Sequence, residues 1–129
     1  MTLAEIKSQV MFQSNNDIDD LSEFEPHIED YINDGYDMLV FAYDEKHVGS
    51  TDYPALTDGT DTPNAPEWTH RYLADWATWL VYRNGNPQKQ NRGYPYRESF
   101  LGMLSRLRDE GGKKGETNFP YKNFRNIPR

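Results

Sequence analysis

Apolar residues recur at three- and four-residue intervals in four stretches of this chain, and helix punctuation bounds each one. In the first, Leu3, Ile6 and Val10 share a face of a helix running roughly from Leu3 to Gln13. Thr2 and Glu5 have the spacing of a capping box, in which two side chains satisfy otherwise unpaired backbone N–H groups. A polar, Asp-rich link follows, from Ser14 to Glu23. The second helix opens near Glu25-Pro26, where the missing proline N–H costs nothing. It runs to about Glu45, with Ile28, Tyr31, Ile32, Gly35, Tyr36, Leu39 and Tyr43 in one stripe and Asp30, Asn33, Asp34 and Asp37 opposite. Phe41 falls on that polar side, where partial cover by a neighbouring loop accounts for it more readily than a role as a contact residue.

From His47 to Ala65 no period of 2 or 3.6 is sustained. This connection is longer than ordinary helix–helix links and reads as a functional or mobile loop, with short extended pieces around Tyr53. The third helix starts at Pro66 and ends at Asn84. Gly85 suits a left-handed residue after a helix end, Asn86 an N-cap and Pro87 a first helical position, so a tight antiparallel hairpin is predicted. The fourth helix covers about Pro87 to Glu110, with Tyr96, Phe100, Met103, Leu104 and Leu107 as its buried stripe. Gly93 and Pro95 interrupt it, and Pro95 predicts a kink, or else a loop over 88–94 and a helix beginning at Pro95. Gly111-Gly112 stops it. The pattern predicts an all-α fold: a small four-helix bundle, residues 1–112, followed by an extended arm, residues 113–129.

The third helix carries more apolar surface than one core requires. Trp68, Tyr72, Trp79 and Tyr82 form one stripe; Leu73, Trp76, Ala77 and Leu80 form a second beside it. Together they exceed half the circumference, whereas a surface helix needs an arc only a little over 100° wide. The expectation is a helix that answers to two surfaces, its own core and a second one. Asp75, within that arc and one turn after Arg71, predicts an ion pair within the helix or between subunits.

Charge is strongly segregated. From Asp17 to Glu67 there are 15 acidic residues and one basic, a net of −14; from Arg71 to Arg108 there are seven basic and two acidic, a net of +5. The segment 113–129 adds five basic residues and one acidic, a net of +4. Such polarity is consistent with solvated faces, with head-to-tail contact between copies, or with a chain held between two partners of unlike charge. Low mean hydropathy (−0.96) is offset by 18 aromatic residues, which bury large areas. Lys89, Arg92 and Arg97, beside Tyr94 and Tyr96, form a candidate basic contact patch. The chain's overall acidity directs that patch toward an acidic protein surface rather than nucleic acid.

Candidate chemistry is sparse. Without cysteine there is no thiol nucleophile, disulfide or Cys-based metal site. His27, His47 and His70 occur singly, outside any H-E-x-x-H pair, and read as cap or surface residues. Gly111-Gly112-Lys113-Lys114-Gly115 lacks the phosphate-loop spacing, and no G-x-S-x-G is present. Carboxylates between Asp17 and Asp61 formally leave room for a glycosidase pair or a divalent-metal cluster. The string Asp17-Ile18-Asp19-Asp20 with Glu23 lacks the glycine and spaced glutamate of a calcium loop, and helix-flanking acidity accounts for it. No apolar run is long enough to span a membrane, and the N-terminus reads as a helix start rather than a signal peptide. The expectation is a non-enzyme without cofactor or metal.

Pro66-Glu67-Trp68 and the run LADWATWLVYRNGNPQKQNRGYPYRESF resemble the head–tail connector proteins of tailed bacteriophages, the adaptor or head-completion subunits beneath the portal. The resemblance spans most of residues 2–110 and is strongest over 66–100. It implies a helical structural subunit of the virion neck, made in the host bacterial cytoplasm, that joins a ring of usually twelve copies. Its implied partners are its own copies, the portal, the next neck or tail-completion protein, and DNA passing without sequence-specific contact. In that family the C-terminal segment commonly reaches into the portal. Lys113, Lys114, Phe119, Tyr121, Lys122, Phe124, Arg125 and Arg129 match that role in composition. Trp68, Tyr72, Asp75, Trp76, Trp79 and Tyr82 would then serve core and intersubunit packing. A reading of another class is an acidic DNA mimic that occupies a DNA-processing enzyme, which the basic fourth helix and tail oppose.

Overall fold

A computed structural model describes residues 1–14 and 23–113 of the chain. The acidic string 17–20 and the arm residues from Lys114 onward lie outside the described residues. The fold is all-α, a small bundle of four helices: α1 (Leu3–Ser14), α2 (Glu25–Tyr43), α3 (His70–Arg83) and α4 (Pro87–Asp109). Single 3-10 turns, Glu45–His47 and Glu67–Thr69, follow α2 and precede α3.

The helix starts follow the local chemistry. Thr2 N donates to Glu5 Oε1 at 2.8 Å and Glu5 N to Thr2 Oγ1 at 3.3 Å, the reciprocal capping box. Two further first-turn donors of α1 are met from a distance: Leu3 N by the Asp61 carbonyl (2.8 Å) and Ala4 N by that of Gly59 (3.1 Å). Asn86 caps α4 by accepting from Lys89 N at 3.0 Å, and Pro87 occupies the first helical position.

Gly85 differs from expectation. Its φ is not positive; among the described residues the left-handed glycines are Gly49, Gly111 and Gly112. Gly85 is required instead by crowding, since a Cβ there would lie 2.8 Å from Lys89 Cβ. Carbonyls at the end of α3 and in the turn after it are met by side chains: Asn84 Nδ2 donates to Leu80 O at 2.8 Å, and Gln90 Nε2 to Arg83 O and Gly85 O, both at 3.2 Å.

α4 is one continuous helix containing Pro95, so the alternative of a loop over 88–94 is not adopted. Pro95 and Asn91 both face solvent. The Asn91 carbonyl that loses its partner can therefore be hydrated, which removes most of the reason to break the helix.

α3 lies at the centre, packed by α1, α2 and most extensively α4. Two glycines set its closest approaches. A Cβ on Gly93 of α4 would sit 2.6 Å from Tyr82 Cβ, and one on Gly35 of α2 would sit 3.0 Å from Trp76 Cδ1. Around α3 the core collects Leu3, Ile6 and Val10, then Ile28, Ile32 and Leu39, then Phe100, Met103, Leu104 and Leu107. Three helices of the same chain cover much of the wide apolar arc of the third helix and leave Trp68, Tyr72 and Trp76 half-buried.

The connection 44–66 is a strap pinned to the bundle. Tyr53 and Leu56 are buried. Asn33 clasps the Leu56 backbone on both sides, donating to its carbonyl at 2.9 Å and accepting from its N–H at 2.8 Å. Tyr53 Oη donates to Asp44 at 2.7 Å, and Tyr36 Oη accepts from Asn64 N at 2.8 Å. No extended strand forms around Tyr53; its turns are held by Asp58 and Asp61 side chains.

Candidate functional site

The residues singled out on the third helix divide by depth. Trp79 and Tyr82 are buried, stacked on Tyr94 (centroids 5.1 Å apart) and Tyr96 (6.0 Å) of α4. Trp76 is half-buried, meets Phe100 at 5.0 Å, and donates from Nε1 to Asp34 of α2 at 3.1 Å. Trp68 and Tyr72 are also half-buried; the Arg106 guanidinium lies 4.2 Å over the Trp68 ring, a cation–π contact.

Asp75 sits at the junction of three helices. Gln13 Nε2 donates to its Oδ1 at 3.1 Å and Ser99 Oγ to its Oδ2 at 2.9 Å, while Thr78 Oγ1 donates to Gln13 Oε1 at 2.7 Å. Arg71 instead donates to Tyr72 Oη at 2.9 Å, so these hydrogen bonds replace the ion pair expected within the helix. Asp75, Gln13, Ser99, Arg71 and Tyr72, with Gln9, line a cleft of about 360 Å³. Burial pushes the Asp75 carboxyl above its ordinary value; the bonds from Ser99 and Gln13 and the Arg71 charge pull it back only in part.

A raised folded-state pKa means the folded chain holds the proton more tightly than the unfolded chain. The ionised carboxylate therefore costs stability, and that cost appears as pH rises from the unfolded carboxylate range through the folded value. Asp75→Asn keeps an acceptor for Gln13 and offers Ser99 a donor. It is expected to raise the thermal midpoint by a few degrees at pH 7, with the gain vanishing as pH falls below the ordinary carboxylate range. Thermal melts at several pH values check it; a lower midpoint at pH 7 would show that the charge itself is needed.

The basic patch does not assemble. At about 100° per residue, Arg92 and Arg97 flank the buried stripe of α4 on opposite sides. Arg97 pairs with Glu98 at 3.0 Å, and Lys89 is half-buried at the hairpin. Among the histidines, His47 pairs with Asp44 (2.8 Å) and His27 stacks on Tyr31, both exposed. His70 departs from the surface role: it is buried, and its Nε2 donates to Ala65 O at 2.9 Å, closing the turn into α3. Among the described residues no three His, Asp or Glu side chains converge as a metal site would require. None of the described helices is long and apolar enough to cross a membrane.

The second concavity is apolar. Phe41 and Met38 of α2, Val48 of the strap and Leu104 of α4 line a groove of about 310 Å³ between Asp37 and Arg108. Phe41 remains 51% exposed, with Val48 of the strap beside it in the groove, so the loop covers it only in part. Asp30, Asp34 and Asp37 lie on the same line of α2 as Phe41, at helical spacings of four, three and four. Burial, then the neighbouring Asp34 charge, raises the Asp37 carboxyl above its usual value. No family model, curated protein or solved structure matches the chain. The site thus rests on its own chemistry: an apolar trough with an acidic ridge, suited to gripping another polypeptide. Of its residues only Phe41 was distinguishable in sequence, by its position on a polar face. Met38, Val48 and Leu104 come together through packing alone.

Proposed function

We propose that this chain is a head–tail adaptor of a tailed bacteriophage, a structural subunit that forms a ring beneath the portal. The observation carrying the reading is the aromatic hairpin over residues 66–100, the stretch of strongest resemblance and the element about which the bundle is built. An all-α fold is what that resemblance implies. The exposed trough between α2 and α4 gives the subunit a lateral surface for protein contact. In this reading about twelve copies close head to tail, extend the DNA channel and present a platform to the next neck or tail component. The arm from Lys113 docks on the portal, DNA passes without sequence-specific contact, and the work is assembly rather than turnover.

Mixing the purified chain with isolated portal tests this directly. A ring seen on the portal by electron microscopy is the expected result. Deleting residues 114–129 is expected to abolish docking while leaving the helical circular dichroism unchanged. A tight complex with a DNA-processing enzyme, together with no affinity for any portal, would overturn the reading in favour of DNA mimicry.

A further inference from the structure

We propose that the polar cleft at the junction of α1, α3 and α4 binds a free α-amino acid, its ammonium on Asp75 and its carboxylate on Arg71. The cleft measures about 360 Å³, at the small end of small-molecule sites. Its carboxylate is held from three helices. Each Asp75 oxygen accepts one hydrogen bond from a neutral donor, Gln13 Nε2 or Ser99 Oγ, and Thr78 Oγ1 orients the Gln13 amide in turn. An ionised carboxylate has about four lone-pair sites, so each oxygen keeps one for a ligand. Arg71, one helical turn away, does not use them. It donates to Tyr72 Oη at 2.9 Å and lies 4.8 Å from the centroid of that ring, so among the described residues Asp75 has no ion-pair partner.

Two unlike charges in one cleft decide the ligand class. A simple cation at Asp75 would be opposed by Arg71, and a simple anion at Arg71 would be opposed by Asp75; a molecule carrying both charges is opposed by neither. In an α-amino acid the ammonium nitrogen and the carboxylate carbon are two bonds apart, about 2.5 Å. With a hydrogen bond of about 2.9 Å at each end, they can join side chains on successive turns of one helix, whose Cα atoms rise about 6 Å. A residue inside a peptide has neither charge, which points to the free amino acid rather than a segment of a partner chain. Gln9 lines the same cleft and makes no side-chain hydrogen bond among the described residues, so it adds an unused donor and acceptor. Burial also makes the ionised Asp75 costly to the fold. A charge kept at such a cost, in a cleft, is characteristic of a binding group. The proposal does not depend on whether the subunit joins a ring.

Titrating the isotopically labelled full chain with each standard amino acid, followed by proton–nitrogen correlation NMR, tests it. At least one is expected to shift the side-chain amides of Gln9 and Gln13 saturably, with a Kd on the order of 1 mM, as two hydrogen bonds between charged groups would give. Its N-acetyl derivative lacks the ammonium and its methyl ester lacks the carboxylate; each is expected to bind at least about tenfold more weakly. Asp75→Asn and, at an exposed position, Arg71→Gln are expected to weaken the parent amino acid by the same factor, with helical circular dichroism unchanged. Shifts that fail to saturate by about 20 mM with every amino acid would overturn the proposal. So would undiminished binding in either variant. A derivative that binds as well as its parent would mark a site for a cation or an anion alone, and overturn it too.

Discussion

Gly93→Val is expected to lower stability by about 3 kcal/mol, the upper part of the range for overpacking a tight interface. The reason is what the new side chain would meet. Its Cβ would lie 2.6 Å from Tyr82 Cβ and 2.9 Å from Trp79 Cε3. Tyr82 Cβ is fixed to its backbone and cannot swing aside as a long side chain would. Trp79 is held by its stack on Tyr94. Relief therefore requires α3 and α4 to separate along the most extensive helix contact in the bundle. Gly93→Ala meets the same obstacle with fewer atoms and recovers about 1 kcal/mol of helix propensity, so its cost is expected to be smaller. Urea unfolding of both variants checks the order. A Gly93→Val midpoint equal to that of the unsubstituted chain would show that the helices approach less closely than described.

Asn33→Ala is expected to cost about 2–3 kcal/mol by stranding the two Leu56 backbone groups that Asn33 satisfies. Leu56 is only 2% exposed, so its amide and carbonyl have little access to water unless the strap lifts. Lifting the strap would expose Leu56 and Tyr53 instead, so the loss persists by either route. Asn33→Asp separates the halves of the clasp: it keeps the acceptor for Leu56 N and places a carboxylate against the Leu56 carbonyl. The decisive readout is exchange of the Leu56 amide, which is expected to approach the free-chain rate in Asn33→Ala. An unchanged rate would mean that burial of the two apolar side chains holds the strap without the clasp.

The local elements were legible because their causes are local. Thr2 with Glu5, Pro26, and Asn86 with Pro87 each act within one turn, and all are found at helix starts. Four apolar stripes were enough to specify an all-α bundle. What escaped depends on residues far apart in the chain. Asn33 and Leu56 are 23 positions apart, and no periodicity links them. The strap therefore read as loose chain. Gly93 read as a helix interruption because glycine is a poor helix former in isolation; against Tyr82 it is what lets the helices touch. Pro95 was tolerated because it faces water, and the sequence alone did not fix that orientation. The excess apolar arc of α3 was legible, but which part of it the chain itself covers followed only from the placement of α1, α2 and α4 around it, with Trp68, Tyr72 and Trp76 left half-buried. The trough beside Phe41 was the least legible part of the site, since it joins α2, the strap and α4.

The central placement of α3 also decides what light the protein emits. Its three tryptophans, Trp68, Trp76 and Trp79, all lie on α3 or the turn leading into it. Each has a different neighbour: the Arg106 cation, the Asp34 carboxylate and the Tyr94 ring. Intrinsic fluorescence is therefore a set of three probes on one helix, touching α2 through Trp76 and α4 through all three. Movement of α4 would change the emission of all three, whereas release of the strap at Leu56 would leave the spectrum nearly unaltered.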